Sequence, residues 1–186
     1  MRRTLAGLLA AAAAVAIVHA QPPAAPLGAM RWRLIGPNRA GRAWAVAGVP
    51  GDPTTYYLGT PSGALWKSTN AGTSWHAISD AIPVNGFGAI AVAASTPQTL
   101  YVGSGQNTLG NGIYRSNDGG EHWQHAGLDD TKFITALLVD PHNPDVVLAG
   151  AGSGGNFGSM VFYNNNPTRT RGVYRTADGG RTWTHV

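Results

Sequence analysis

Short apolar stretches alternate with glycine- and proline-containing turns along the chain from about residue 42 onward. The stretches are too short for helices, and their mixture of small, apolar and polar residues is typical of β-strands. A first strand is predicted at residues 43–47, 89–93 and 134–139, and a second at 56–59, 100–103 and 146–150. A proline-containing turn separates the two strands each time, so the same order of elements recurs along the chain.

Three copies of one octapeptide follow these strands. They occupy residues 68–75, 116–123 and 176–183 and share the pattern Ser/Thr-x-Asp/Asn-x-Gly-x-x-Trp. An aromatic and a basic residue precede each copy, as in Tyr114-Arg115. The copies start 48 and then 60 residues apart, and recurrence at such a spacing indicates a repeat architecture.

Each octapeptide is predicted to form the turn of a β-hairpin. The Asp or Asn at the third position accepts hydrogen bonds from N–H groups of the turn, and the Ser or Thr at the first does so more weakly. The Gly at the fifth position supplies a positive φ at little steric cost. The Trp at the eighth packs its large apolar surface beneath the turn.

Two further strands flank each octapeptide, so every repeat supplies four antiparallel strands, the unit of a β-propeller blade. The predicted fold class is therefore all-β, a propeller with three blades at about residues 42–79, 86–128 and 133–186. Residues 31–36 are expected to form an outer strand without its own hairpin. Three blades fall short of the usual four to eight, so we expect an incomplete ring that the remaining blades of a longer chain complete, and favour this over a trimer with nine blades.

The octapeptides resemble the Asp-box, or BNR repeat, of sialidases, xyloglucanase-type glycoside hydrolases and sortilin-type receptors. The resemblance covers roughly residues 31–186 and implies a propeller in which the motif is structural. The first copy departs from the motif, since Asn70 keeps an acceptor but lacks the charge. The residues that match the motif are Ser68, Asn70, Gly72, Trp75, Ser116, Asp118, Gly120, Trp123, Thr176, Asp178, Gly180 and Trp183.

The N-terminus has the pattern of a secretory signal peptide. Arg2 and Arg3 precede a short apolar run that ends in Val18-His19-Ala20, so residues 1–20 are predicted to be removed on export. The apolar run is short for a membrane span, and we expect a secreted or periplasmic protein without a span after cleavage. Residues 21–30 are rich in Pro and Ala and are predicted to form a linker.

Charge and composition restrict the classes of partner and ligand that we expect for this protein. Without Arg2 and Arg3, 11 of the 13 basic residues remain against 9 acidic ones, which gives no case for nucleic acid or an anionic membrane. The sequence contains no Cys, so no disulfide stabilises the fold. His122 and His125 are expected on opposite faces of one strand, which argues against a metal site, and no cofactor is predicted.

Strand alternation sorts the connections into two ends of the blades. The octapeptides and the proline turns share one end, and most acids belong to it. The opposite end, where propeller enzymes usually have their active sites, contains three acids: Asp80, Asp129 and Asp130. These three are the candidate catalytic residues. The same end supplies aromatic, amide and Arg side chains suited to binding sugars or peptides. The candidate ligand-binding residues are Arg39, Arg42, Asn85, Gln106, Asn107, Phe162, Tyr163, Asn165, Arg169 and Arg171.

Three functions follow from this arrangement and from the resemblance. The first is a scaffold that binds a carbohydrate or a polypeptide through the end opposite the octapeptides. The second is a glycoside hydrolase, which needs two carboxylates across the scissile bond and would be completed by sequence beyond residue 186. The third is an assembly factor of the photosystem-biogenesis type, which also uses these repeats. The Arg-Ile-Pro signature of sialidases is missing, which disfavours that activity.

Overall fold

Twelve strands form three separate four-stranded sheets in the part of the chain that the structure describes. The structure is a computed structural model, and it describes residues 42–106, 108–152 and 170–186, all within one compact unit, residues 40–186. The predicted signal peptide, linker and outer strand at residues 1–36 lie outside the described residues.

Each sheet is an antiparallel meander in which the strands pair in chain order. Blade 1 contains β1 (Ala45–Val49), β2 (Asp52–Gly59), β3 (Leu65–Ser68) and β4 (His76–Ala77). Blade 2 contains β5 (Phe87–Val92), β6 (Leu100–Ser104), β7 (Ile113–Ser116) and β8 (Gln124–His125). Blade 3 contains β9 (Ile134–Val139), β10 (Val147–Ala151), β11 (Gly172–Thr176) and β12 (Thr184–His185). The predicted all-β class with four antiparallel strands per blade is confirmed, and the described residues form no closed ring.

The first strands lie where the blades meet. β5 packs against both β1 and β9, whereas each fourth strand is only two residues long and forms the far edge of its sheet. Glycines on the second strands allow this approach: a Cβ on Gly103 would collide with the side chain of Ile134, and one on Gly59 would lie 3.1 Å from the Cβ of Phe87. The small residues of the pattern therefore serve close packing between blades.

The hydrophobic core is divided between the two interfaces of neighbouring blades. Leu65, Phe87 and Val102 are fully buried between blades 1 and 2. Tyr101 and Ile134 belong to the cluster between blades 2 and 3. Full burial of an apolar side chain contributes roughly 1.5–3 kcal/mol, so the main stabilisation comes from contacts between blades.

The two outward faces of the three blades expose apolar side chains. On blade 1, Trp44 and Val46 are 46% and 72% exposed, and on blade 3 Leu138 is 66% exposed. No helix among the described ranges has the length and apolar character needed to cross a membrane.

Candidate functional site

The connections between strands lie at two ends of the blades. We call one the turn end, which contains the β1–β2-type turns and the octapeptide turns (residues 68–75, 116–123 and 176–183). The other, the loop end, contains the β2–β3-type connections and the links between blades. Within each blade the octapeptide turn bonds to the neighbouring turn, as when the N–H of Gly119 donates to the Gln98 carbonyl at 2.9 Å. The equivalent N–H groups of Ala71 and Gly179 donate to Thr54 and Asp145.

The octapeptide turn of blade 2 is closed by the side chains of Ser116 and Asp118. The Ser116 hydroxyl donates to Asp118 Oδ1 at 2.7 Å and accepts from the N–H of Gly120 at 2.9 Å. Asp118 Oδ1 also accepts from the N–H of His122 at 2.9 Å. The N–H of His122 and the Ser116 hydroxyl hold the pKa of Asp118 well below its ordinary value, because they stabilise the carboxylate.

His122 lies within this turn, not on β8, so the expectation that both histidines belong to one strand is wrong. The strand begins two residues later because the His122 N–H is already bonded to Asp118, and the His122 ring nitrogen Nδ1 lies 2.6 Å from Asp118 Oδ2. Among the described residues no three His, Asp or Glu side chains converge as metal ligands do.

The same hydrogen bonds recur in the other two turns with different side chains. In blade 3 the hydroxyl and N–H of Thr182 hold the pKa of Asp178 well below its ordinary value. In blade 1 the Asn70 Oδ1 accepts from the N–H of Ser74 at 2.9 Å, while its Nδ2 donates to the Ser74 hydroxyl at 2.8 Å. Asn70 therefore reproduces the geometry without a charge.

The tryptophan that ends each octapeptide connects neighbouring blades. The indole N–H of Trp123 donates to the Ile78 carbonyl of blade 1 at 2.7 Å, and that of Trp183 donates to the Ala126 carbonyl of blade 2 at 2.8 Å. Trp75, with no described blade before it, donates to Gly72 of its own turn at 3.0 Å. This role could not be predicted from the sequence, because the bonded residues are 45 and 57 positions apart.

Tyrosine hydroxyls make a second set of bonds between blades at the turn end. Tyr57 donates to the Gly119 carbonyl at 3.1 Å, and Tyr101 donates to the Pro144 carbonyl at 2.9 Å. Burial raises the pKa of both phenols to about 12, since it penalises the phenolate. These two hydroxyls therefore stabilise the contacts between neighbouring blades.

A polar cleft of about 310 Å³ also lies at the turn end, between blades 2 and 3. Both carboxylates that line it have partners within the protein: Asp145 Oδ1 lies 2.8 Å from Arg115 Nη1, and Asp178 Oδ2 accepts from the Thr182 hydroxyl at 2.6 Å. Because these carboxylates are engaged in contacts within the protein, this cleft is a weaker candidate site than the loop end.

A tight turn at the loop end presents two of the predicted carboxylates. The N–H and the hydroxyl of Thr131 both donate to the Leu128 carbonyl, at 2.9 and 2.6 Å. Leu128 has a φ of 61°, a left-handed conformation that costs a non-glycine residue of order 1–3 kcal/mol. Its side chain packs against the core between blades 2 and 3, which compensates for that strain. The turn leaves Asp129 and Asp130 exposed.

Asp129 and Asp130 line one depression of about 440 Å³ together with Thr131, Thr170 and Tyr174. The depression also borders Leu128, so it combines carboxylates, hydroxyls, an aromatic ring and an apolar side chain. The Tyr174 ring meets the His185 ring edge-on, with 5.0 Å between centroids. This composition suits a ligand with several hydrogen-bond donors and an apolar face.

The remaining predicted site residues are not gathered at this depression. Asp80 and Asn85 are exposed on the link between blades 1 and 2, and Arg42 is exposed before β1. Gln106 is only 2% exposed, so its side chain is not part of the open surface. Arg171 is half-buried, and its Nε is buried without a hydrogen bond in the described ranges. Arg39, Asn107, Phe162, Tyr163, Asn165 and Arg169 lie outside the described residues.

Three residues of the depression were missed as ligand contacts, namely Thr131, Thr170 and Tyr174. Tyr174 was seen in the sequence only as the aromatic residue that precedes each octapeptide. The corresponding Tyr114 is buried, and its hydroxyl bonds with the side chain of Asn111. The signal that could have separated the two tyrosines is the longer spacing before the third octapeptide, 60 residues instead of 48.

Solved structures with this fold are β-propellers. An ancestral GH74 enzyme aligns with a TM-score of 0.56 and 21% identity over 78% of this chain and 18% of that chain. YCF48 bound to D1 peptide aligns with a TM-score of 0.54 and 13% identity over 77% of this chain and 39% of that chain. YCF48 from Cyanidioschyzon merolae aligns with a TM-score of 0.50 and 17% identity over 77% of this chain and 36% of that chain.

These likenesses show a β-propeller fold, and at such identities they show the fold alone. The chain spans 18–39% of the length of these structures. No protein-family model matches the sequence, and no curated protein matches it.

Proposed function

We propose that this chain is part of an exported Asp-box propeller whose loop end binds a glycan or a polypeptide. The observation that carries the proposal is the depression lined by Asp129, Asp130 and Tyr174. Its carboxylates accept hydrogen bonds from sugar hydroxyls or from amide and ammonium groups, and its aromatic ring offers a face for stacking. Two structural neighbours, a GH74 enzyme and YCF48 bound to D1 peptide, support both ligand classes.

The unequal use of carboxylates at the two ends supports binding at the loop end. At the turn end, Asp118 and Asp178 each accept several hydrogen bonds from their own turn. At the loop end, Asp129 and Asp130 are exposed, and Asp129 Oδ1 lies 3.6 Å from His125 Nε2, beyond hydrogen-bond distance. A ligand would therefore meet carboxylates that the fold leaves accessible.

Binding is favoured over hydrolysis by the same exposure. A carboxyl that donates a proton near neutral pH needs an apolar environment that keeps it protonated, and neither Asp129 nor Asp130 is buried. Asp80 is not among the residues that line the depression, so the predicted acids form no single constellation.

Titration of the full-length protein with soluble β-glucan oligosaccharides and with a panel of basic peptides, followed by calorimetry, tests the proposal. We expect Asp129→Asn and Asp130→Asn to weaken binding about tenfold, since each removes a charged hydrogen-bond acceptor. Asp80→Asn is the matched control, an exposed carboxylate at the same end but outside the depression. Equal affinities for all four proteins, or a loss confined to Asp80→Asn, would refute a site at the depression.

The second candidate function is a glycoside hydrolase, and the likeness to a GH74 enzyme is the observation that favours it. Its test is the release of reducing sugar from β-glucans by the full-length protein and by Asp80→Asn and Asp130→Asn. Loss of activity in either variant with retained oligosaccharide binding supports a catalytic acid. Unchanged activity in both rejects these two assignments.

A further inference from the structure

Two asparagines of the chain are followed directly by glycine, in Asn85-Gly86 and Asn111-Gly112. In such a dipeptide the backbone nitrogen of the glycine can attack the carboxamide carbon of the asparagine, because glycine has no side chain that obstructs the approach. Both dipeptides lie at the loop end, Asn85 on the link between blades 1 and 2 and Asn111 on the β6–β7 connection. Since the reacting residues are the same, a difference in reactivity between the two sites comes from the fold.

The fold leaves the reacting groups of Asn85 and Gly86 without partners. Asn85 is exposed and lies between β4 and β5, outside both strands. Its side chain makes no hydrogen bond with any residue of the described ranges, and the Gly86 N–H donates to none of them. The carboxamide of Asn85 is therefore free to rotate toward the nitrogen that must attack it.

Packing between the blades also requires glycine at position 86. A Cβ there would lie 2.6 Å from the Pro61 carbonyl oxygen and 2.6 Å from Thr108 Oγ1, which is closer than van der Waals contact allows. The Gly86 carbonyl accepts from the Gly105 N–H at 2.8 Å, so this link is packed against the β6–β7 connection. The glycine that makes the dipeptide reactive is therefore a structural necessity.

The side chain of Asn111 is held in place at the other dipeptide. Its Nδ2 donates to the Tyr114 hydroxyl at 2.8 Å, and its Oδ1 accepts from the same hydroxyl at 3.0 Å. The N–H of Asn111 donates to Ser104 Oγ at 2.9 Å, and both Ser104 and Tyr114 are buried. Rotation of the carboxamide toward the Gly112 nitrogen would break its bonds to a buried hydroxyl, and such losses are costly.

We propose that Asn85 is a site of spontaneous deamidation in the folded protein and that Asn111 is protected from the same reaction. The Gly86 nitrogen loses its proton to base in the solvent and forms a bond to Asn85 Cγ. The bond from Cγ to Nδ2 breaks, and Nδ2 takes a proton from water and leaves as ammonia. Water then opens the succinimide at one of its two carbonyls, which gives an aspartate or an isoaspartate at position 85.

The reaction changes the charge and the hydrogen bonding of the loop end. A neutral amide becomes a carboxylate on the link that also exposes Asp80, so the negative charge of this end increases with the age of the protein. The carboxylate accepts hydrogen bonds but no longer donates them, which alters one of the predicted ligand-binding residues. The proposal is independent of the ligand that the loop end binds, because the reaction consumes only water.

Incubation of the full-length protein in mildly alkaline buffer, followed by tryptic digestion and mass spectrometry, tests the proposal. One tryptic peptide, residues 68–115, contains both asparagines, so its fragmentation measures both rates on the same molecules. We expect Asn85 to react about tenfold faster than Asn111 in the folded protein, a factor that corresponds to one or two hydrogen bonds. In urea, where the fold is lost, the two rates should be similar.

Tyr114→Phe tests the protection of Asn111, because it removes the hydroxyl that holds the carboxamide and keeps the buried ring. We expect this variant to react about fivefold faster at Asn111 and at an unchanged rate at Asn85, with circular dichroism as a check of folding. Asn85→Gln is the control that should abolish the reaction at position 85, since its longer side chain forms a less favoured ring. Equal rates at the two sites in the folded protein, a difference that persists in urea, or an unchanged rate at Asn111 in Tyr114→Phe overturns the proposal.

Discussion

The turn end and the loop end of the same blades use polar residues in opposite ways. At the turn end, Asp118 accepts bonds from Ser116 and His122 within its own octapeptide, and the indole of Trp123 bonds to the preceding blade. At the loop end, Asp129 and Asp130 are exposed, and no residue in the described part of the chain holds their carboxylates by a comparable set of hydrogen bonds. The repeated residues hold the blades together, and the residues that differ between repeats remain accessible to a ligand.

A second contrast lies within the turn end. The turns of blades 2 and 3 each have an Asp followed by a Gly with positive φ, at 72° for Gly119 and 74° for Gly179. The turn of blade 1 has Asn70 and then Ala71, which keeps a φ of 56°. Blade 1 therefore adopts the same turn with less suitable residues, and it provides an internal control for each part of the motif.

Loss of a tryptophan that joins two blades should have the largest effect. We expect Trp123→Ala to lower the free energy of unfolding by about 3 kcal/mol, through lost packing and a lost hydrogen bond between blades. Trp75→Ala should cost about half as much, because its indole bonds only within its own turn. Urea denaturation of both variants measures the difference, and equal losses would show that the bond between blades adds little.

Exchange of the residue with positive φ should have the next largest effect. Gly119→Ala is expected to cost about 1–2 kcal/mol, since alanine is strained in the left-handed region, and its Cβ would lie 2.7 Å from the Gln98 Oε1. Ala71→Gly should stabilise the chain by about 0.5 kcal/mol, the strain relieved being partly offset by the entropy of glycine. Thermal unfolding of both variants checks the opposite signs; a destabilising Ala71→Gly would contradict this account of the turn.

Acid should weaken the turns of blades 2 and 3 but not that of blade 1. The folded pKa values of Asp118 and Asp178 lie below the ordinary value of 3.8. The stability they contribute is therefore present above about pH 5 and is lost as the pH falls through 4 and below. The hydroxyls of Thr54 and Thr55 lower the pKa of Asp52 to about 2. The stability that Asp52 contributes is therefore also lost in acid.

Stability measured from pH 7 to pH 2.5 tests this dependence. Asp118→Asn and Asp178→Asn are expected to lower stability at pH 7 and to flatten the loss in acid, whereas Asn70→Asp should steepen it. An acid profile that is unchanged in all three variants would show that these carboxylates do not govern stability.

Substitutions at the loop-end acids should have the smallest effect on stability. Asp129→Asn and Asp130→Asn are expected to change the free energy of unfolding by less than about 0.5 kcal/mol, as is usual for exposed residues away from structural contacts. Urea denaturation under the conditions used for Trp123→Ala supplies the comparison. A loss above 1 kcal/mol in either variant would assign that residue a structural role.

The sequence by itself determined the class of fold and the two ends of the blades. The octapeptide turn could be predicted because the hydrogen bonds made by its Ser or Thr and its Asp or Asn side chains join residues at most four positions apart, as from the N–H of Gly120 to Ser116 and from the N–H of His122 to Asp118. Alternating strands then place all three octapeptides at one end, which left Asp129 and Asp130 at the other.

Only the tertiary structure decided how the blades join and which loop residues meet. The bonds from Tyr57 to Gly119 and from Trp183 to Ala126 span 62 and 57 positions, and no local pattern encodes such partners. The burial of Gln106 and the position of Tyr174 beside Asp129 follow from the packing of whole blades. Local turn chemistry acts within a few residues, whereas the depression and the interfaces form only after sheets distant in sequence pack against one another.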